Sequence, residues 1–161
     1  MKRIVLFISL LALMITGYAQ TEAELNAWND VNVYEINKIY PRANVIPRGN
    51  GWSQCLNGDW KFCWVDQPSK APEGFYKTDY DVRAWATIPV PGNWELNGYG
   101  TAVYVNVDNE FRPNDPPLAP TIDNPVGCYV HEFEIPQNWK GRRVYLNFGA
   151  VKSAYYLWVN G

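Results

Sequence analysis

Glu132 and Glu134 come nearer than any other residues of this sequence to a catalytic pair. Two carboxylates held close together can divide nucleophilic and acid/base work between them. Residues two apart on a strand stand roughly 6.6–6.8 Å apart at the backbone, on one face, close enough to imitate that arrangement. The residues between and around them argue against it. Tyr129, His131, Phe133 and Ile135 alternate with the glutamates, so the apolar side packs inward and the carboxylates point into water. Asp59, Asp108 and Glu110 have no evident partner for acid–base work. His131 is the only histidine, and on an apolar face it reads as a packed structural residue. From the residues alone, no catalytic site is assigned.

The three cysteines, Cys55, Cys63 and Cys128, cannot all be paired, and no CxxC or Cys/His spacing suggests a metal site. One disulfide is allowed in an oxidising compartment. Cys63 lies on a strand-like run and Cys128 follows Gly127, so both are expected to be small core or edge residues.

The elements that position these groups read as strands. In Trp60–Val65 the aromatics alternate, placing Trp60, Phe62 and Trp64 on one face. Ala86–Val90 is a short apolar run ended by Pro91-Gly92. Tyr129–Ile135 is a third strand, Arg143–Phe148 a fourth with Val144, Leu146 and Phe148 inward, and Ala154–Val159 a fifth. Between the second and third lies Asn106–Pro125, an irregular stretch with five prolines. A loop that long inside a compact domain is usually functional. Short strands joined by Gly, Pro and Asn turns predict an all-β sandwich or jelly roll. Asn160-Gly161 is a hairpin signal, because both residues tolerate the positive φ of a type I′ turn. A further strand is expected after it, so the sandwich reads as incomplete at its C-terminus.

The front of the chain has another character. Lys2 and Arg3 precede an apolar stretch, Ile4–Ile15, and Gly17 and Ala19 form a small-residue exit. This is the pattern of a signal peptide spanning 1–19, and the apolar run is too short to cross a bilayer. Residues 20–50 lack periodicity and read as an extended arm, with a helical turn or two allowed over Thr21–Trp28. Residues 51–161 carry the strands. Removal of 1–19 leaves a net charge of −4, twelve Lys and Arg against sixteen Asp and Glu. Such a surface gives no electrostatic reason to bind nucleic acid or anionic lipid. Eight Trp and eleven Tyr suit either a ring-stacking surface for sugars or an aromatic-packed sandwich, and composition does not choose between them.

Four blocks in order resemble the N-terminal sugar-binding domain of glycoside hydrolase family 2, in its β-galactosidase branch. The first is Trp28-Asn29-Asp30 with Ile36-Asn37-Lys38 and Pro41-Arg42-Ala43, and the second is Leu56-Asn57-Gly58-Asp59-Trp60-Lys61-Phe62. The third is Pro89-Val90-Pro91-Gly92-Asn93-Trp94, running on through Gly98-Tyr99-Gly100 to Tyr104-Val105-Asn106-Val107. The fourth runs from Asn124-Pro125-Val126-Gly127-Cys128-Tyr129 through Gly141-Arg142-Arg143-Val144 and Phe148-Gly149 to Leu157-Trp158-Val159-Asn160-Gly161. Ala102 departs from the pattern, where the family usually has proline.

The resemblance implies a galactose-binding-domain-like jelly roll. It implies that full-length relatives continue through an immunoglobulin-like domain into a (β/α)₈ barrel whose two glutamates hydrolyse terminal β-galactosides with retention. It also implies that Asn106 and Val107 reach the barrel's pocket, where the asparagine hydrogen-bonds the galactosyl unit. Trp94 and Tyr99 then hold the loop. Full-length relatives use Mg and Na ions, but the family's metal-linked acidic residue falls beyond position 161, so no cofactor or metal ligand is expected in this chain. The expected function is that of an exported, non-catalytic sugar-binding portion of a β-galactosidase. Its partners are a β-galactoside and the remaining domains of the parent enzyme, with no membrane contact after signal cleavage. The alternatives are a stand-alone carbohydrate-binding module and a structural domain completed by a partner's strand.

Overall fold

A computed structural model of the chain describes residues 26–36, 38–40, 51–102, 117–152 and 154–161. The signal-peptide segment therefore lies outside the described residues, as do most of the loop around Asn106 and part of the arm.

The described residues are all-β. Three strands, β1 (Gly58–Val65), β2 (Ala86–Val90) and β3 (Val126–Val130), form one antiparallel sheet in the order β2-β1-β3. Four single 3-10 turns, Ala27–Asn29, Pro68–Lys70, Glu95–Asn97 and Gln137–Trp139, complete the regular structure. β1 is central because it is the longest run with bulky residues at every second position. Its first half pairs with β2, Trp60 opposite Ile88, and its second half with β3, Phe62 opposite Tyr129.

The core sits on the face that carries Trp60, Phe62 and Trp64. Phe62 is 1% exposed and Ile88 is fully buried. Phe62 meets Tyr129 at 4.7 Å between ring centroids, Tyr99 edge-on at 4.8 Å and Trp94 at 6.4 Å. Edge-to-face and tilted pairs at these separations are the arrangements that ring quadrupoles favour. On the other face of β1, Lys61 sends its ammonium to the carbonyls of Arg83 and Trp85, at 3.3 and 3.2 Å. The chain ahead of β2 is fixed locally. Asp81 accepts the Arg83 backbone N–H and both arms of its guanidinium, which holds the Asp81 carboxyl far below the usual carboxylate range. Both groups are exposed, so the contact shapes a turn and adds little stability.

A second aromatic cluster is built from the segment between β1 and β2 and the last described residues. Trp158 stacks on Tyr76 at 4.9 Å, meets Phe75 edge-on, and lies against Tyr156. The Tyr156 hydroxyl accepts the backbone N–H of Trp28 at 2.9 Å, tying the 3-10 turn of the arm to this cluster. That turn at Ala27–Asn29 is the only regular structure among the described residues of the arm.

Three strand expectations need correction. The third strand spans Val126–Val130, not Tyr129–Ile135. Val126, Gly127 and Cys128 carry no bulky alternation, so the sequence hides the start of the ladder, while the alternation that follows marks a face beyond its end. Arg143–Phe148 and Ala154–Val159 pair with no described residue and are not strands. Extended, alternating backbone becomes sheet only where a partner offers its N–H and C=O groups. Val144 and Phe148 are accordingly exposed at 40% and 38%, and Leu146 alone of that trio is half-buried. At the last two positions Asn160 has φ 65° and Gly161 φ 97°, both positive, as the central residues of a type I′ turn require.

Gly127 explains why β3 begins on small residues. A Cβ there would stand 2.6 Å from the Trp94 ring and 2.8 Å from Phe62, closer than any carbon contact allows. Replacing Gly127 by Ala is therefore expected to destabilise the chain by about 1–3 kcal/mol through overpacking. Denaturant unfolding of the two proteins, read by tryptophan fluorescence, measures the difference; equal midpoints would contradict the packing.

Candidate functional site

Every element of the site's base comes from the turn after β2. Pro91 follows Val90 through a cis peptide bond. The chain then makes the 3-10 turn Glu95–Asn97, closed by a bond from the Tyr99 N–H to the Trp94 carbonyl at 3.0 Å and by the Asn97 amide donating to the Asn93 carbonyl at 2.8 Å. This compact turn throws Trp94 and Tyr99 back over the sheet. Trp94 covers Gly127 and Phe62, its indole N–H donating to the Glu95 carboxylate. Tyr99 sets its ring against the edge of Phe62. At Gly100 the chain runs along Trp64, whose indole atoms lie 3.4–3.6 Å from where a side chain would begin. The Trp64 indole N–H is buried there without a hydrogen-bond partner among the described residues. Trp94 and Tyr99 are thus packing residues at the near end of the long loop, as expected. At the far end, the Asn124 amide donates to the Pro120 carbonyl at 2.9 Å and closes the turn that leads into β3.

Asn106 and Val107 themselves lie outside the described residues, as do Asp108 and Glu110. The structure describes what flanks them and does not test their assignment.

The glutamate pair falls where alternation put it. Glu132 and Glu134 are exposed, and neither has a hydrogen-bond or ion-pair partner among the described residues. His131 stacks on Trp60 at 4.7 Å with the ring planes 10° apart, which makes it a wall of the core. Ile135, expected on the same inward face, is 39% exposed, because the ladder has already ended. Among the described residues, no group of three His, Cys, Asp or Glu side chains comes together as a metal site. Asp59 is exposed at the start of β1.

Two features escape a linear reading. One is a shallow cleft of about 420 Å³ in which Glu134 faces Gln54, Gln137 and Trp139. Its two sides are some eighty residues apart in sequence, joined by the Trp139 indole N–H donating to the Gly51 carbonyl at 2.9 Å and by the Arg142 guanidinium 3.8 Å over Trp52. The other is the facing of Cys63 and Cys128, set by strand register.

An antiparallel, aromatic-packed sheet with Trp94 and Tyr99 folded back over it defines an all-β domain. Residues 53–161 match the family model "Glycosyl hydrolases family 2, sugar binding domain", and the chain belongs to that family. It is 34% identical over 155 residues to a beta-galactosidase of Halalkalibacterium halodurans, covering 88% of this chain and 15% of that protein. It is 42% identical over 110 residues to a beta-galactosidase of Psychromonas ingrahamii, covering 68% of this chain and 10% of that protein. A beta-galactosidase of Pectobacterium atrosepticum is 43% identical over 107 residues, with 66% and 10% covered. The chain spans about 10–15% of the length of these relatives.

The packing of Trp94 on Gly127 is testable as a coupling. Trp94→Ala alone should cost about 2–4 kcal/mol, the range for removing a large packed side chain with a discount for its half-exposure. With the ring gone, Gly127→Ala should become cheaper by about 0.5–3 kcal/mol. Additive effects of the two changes in a double-mutant unfolding cycle would mean that Trp94 does not occupy the space above Gly127.

Proposed function

We propose that this chain acts as the sugar-binding portion of an exported β-galactosidase, shaping one wall of the galactoside pocket and supplying none of the bond-breaking groups. The observation that carries the reading is the family match over residues 53–161, together with the similarity to beta-galactosidases of three bacteria. The framing of the long loop supports it. Trp94 and Tyr99 pack against Phe62 in the turn ahead of that loop, and the Asn124 turn closes the chain behind it.

Asn106 is the side chain we assign to the galactosyl unit, with Val107 packing beside it. A carboxamide donates and accepts at once, which matches the paired hydroxyls of a neutral sugar without the desolvation cost of a charge. The rest of the pocket, the two catalytic glutamates and any Mg or Na ion belong in this reading to other domains of the enzyme. Glu132 and Glu134 are solvated surface groups. Export rests on the Lys2–Ala19 pattern, and the mature protein begins at Gln20 in the periplasm or outside the cell.

The purified chain should not hydrolyse a chromogenic β-galactoside. Turnover that disappears in Glu132→Gln or Glu134→Gln would overturn the non-catalytic reading. Within a full-length enzyme carrying this domain, Asn106→Ala should lower kcat/KM for a β-galactoside by about tenfold or more, the loss of one sugar hydrogen bond. Unchanged kinetics would remove Asn106 from the pocket. N-terminal sequencing of the exported protein should start at Gln20, and a product that begins at Met1 would refute processing.

A further inference from the structure

Cys63 and Cys128 stand directly opposite each other where β1 and β3 pair, so their side chains leave the same face of the sheet. Directly opposed residues of an antiparallel ladder have Cα atoms about 4.5 or about 5.5 Å apart, depending on whether the pair is hydrogen-bonded. Both values lie within the roughly 4.4–6.8 Å that a disulfide spans. Both thiols are free in this structure, Cys128 2% exposed and Cys63 half-buried. Cys55 is exposed and belongs to no strand, so no ladder holds it against a partner.

We propose that Cys63 and Cys128 are a redox site that closes into a cross-strand disulfide when the protein meets a low-molecular-weight disulfide, stapling β3 to β1. The inference depends on the strand register alone and stands whether or not the chain binds a galactoside. Burial, and secondarily the charge of Cys63, push the Cys128 thiol up to about 12. Cys63, half-exposed to water where Cys128 is buried, is the thiol that an external disulfide can reach. Its thiolate attacks one sulfur of the external disulfide, forming a mixed disulfide and releasing one thiolate, which takes up a proton. Cys128 then loses its proton to solvent and attacks the Cys63 sulfur, expelling the second thiolate, which is protonated in turn. Two protein thiols are oxidised and one external disulfide is reduced to two thiols. The bond encloses everything between the two strands, including β2, the Trp94–Tyr99 turn and the long loop.

The experiment treats the reduced full chain with oxidised glutathione, quenches it with acid, alkylates it in denaturant and maps the peptides by mass spectrometry. The expected product joins the Cys63 and Cys128 peptides, lighter by two hydrogens than the reduced pair, and leaves Cys55 outside any internal bridge. The same treatment in concentrated guanidinium should instead favour Cys55–Cys63, because the shorter loop closes at lower entropic cost. Exclusive pairing of Cys63 with Cys128 in the native protein is thus a readout of the fold. A Cys55→Ser variant should still close the bond, and oxidation should raise its thermal midpoint by on the order of 10 °C. Native pairing through Cys55, or Cys63 and Cys128 both remaining alkylatable after oxidation, would overturn the proposal. So would a lower midpoint in the oxidised protein.

Discussion

The ring of Phe62 meets Trp94, Tyr99 and Tyr129 above a backbone that has no side chain at Gly127, and the rest of the site is arranged around that contact. Phe62 lies on the central strand where both neighbours are paired, opposite Ala86 on one side and Tyr129 on the other. The constraint is one of volume. Trp94 can reach the sheet only because residue 127 leaves a gap, and Tyr99 can sit edge-on only because Trp94 takes the flank. Remove the gap and the turn after β2 must lift, carrying the start of the long loop with it.

This arrangement separates positioning from chemistry. Two aromatic clusters organise the described residues, one around Phe62 beside the turn after β2 and one tying the arm and the last residues to the segment before β2. Of the aromatic richness that composition alone leaves open, Phe62, Tyr129, Tyr76 and Trp158 serve packing, while Tyr34, Tyr40 and Tyr145 are exposed. The acidic residues behave in the opposite way. Glu132 and Glu134 stand exposed, and Asp81 is occupied by Arg83 in a surface turn. A carboxylate pair fit for glycoside hydrolysis needs a closed, pre-organised setting that raises one pKa against the other, and an exposed segment beyond the end of β3 does not provide one. Membership in a sugar-binding domain family suits a chain built in this way.

How far the sequence could be read depended on which physical signal each element leaves. β1 and β2 were legible because Trp60, Phe62 and Trp64 alternate and Pro91-Gly92 ends the next run. The burial of His131 against Trp60 followed from the same period of two. The start of β3 was illegible because Val126-Gly127-Cys128 is chosen for smallness, and smallness carries no period. Arg143–Phe148 and Ala154–Val159 had the right alternation and still formed no ladder among the described residues, since strand pairing is a property of two segments and only one is visible in a local pattern. Asn106 and Val107 were named by resemblance alone, for an Asn in a loop has no local mark that separates a sugar ligand from a turn.

By itself, then, the sequence determined the local facts: the faces of β1, the turn after β2, and the positive φ of Asn160 and Gly161, all set by steric limits on neighbouring residues. It also determined the family, through residues whose order along the chain is the signal. Tertiary structure alone decided that Gly127 lies beneath Trp94, that Glu134 shares a cleft with Gln54, and that Cys63 faces Cys128. Each of those joins residues thirty to eighty positions apart, and such contacts, the Cys63–Cys128 register among them, come into being only when distant segments pack or pair.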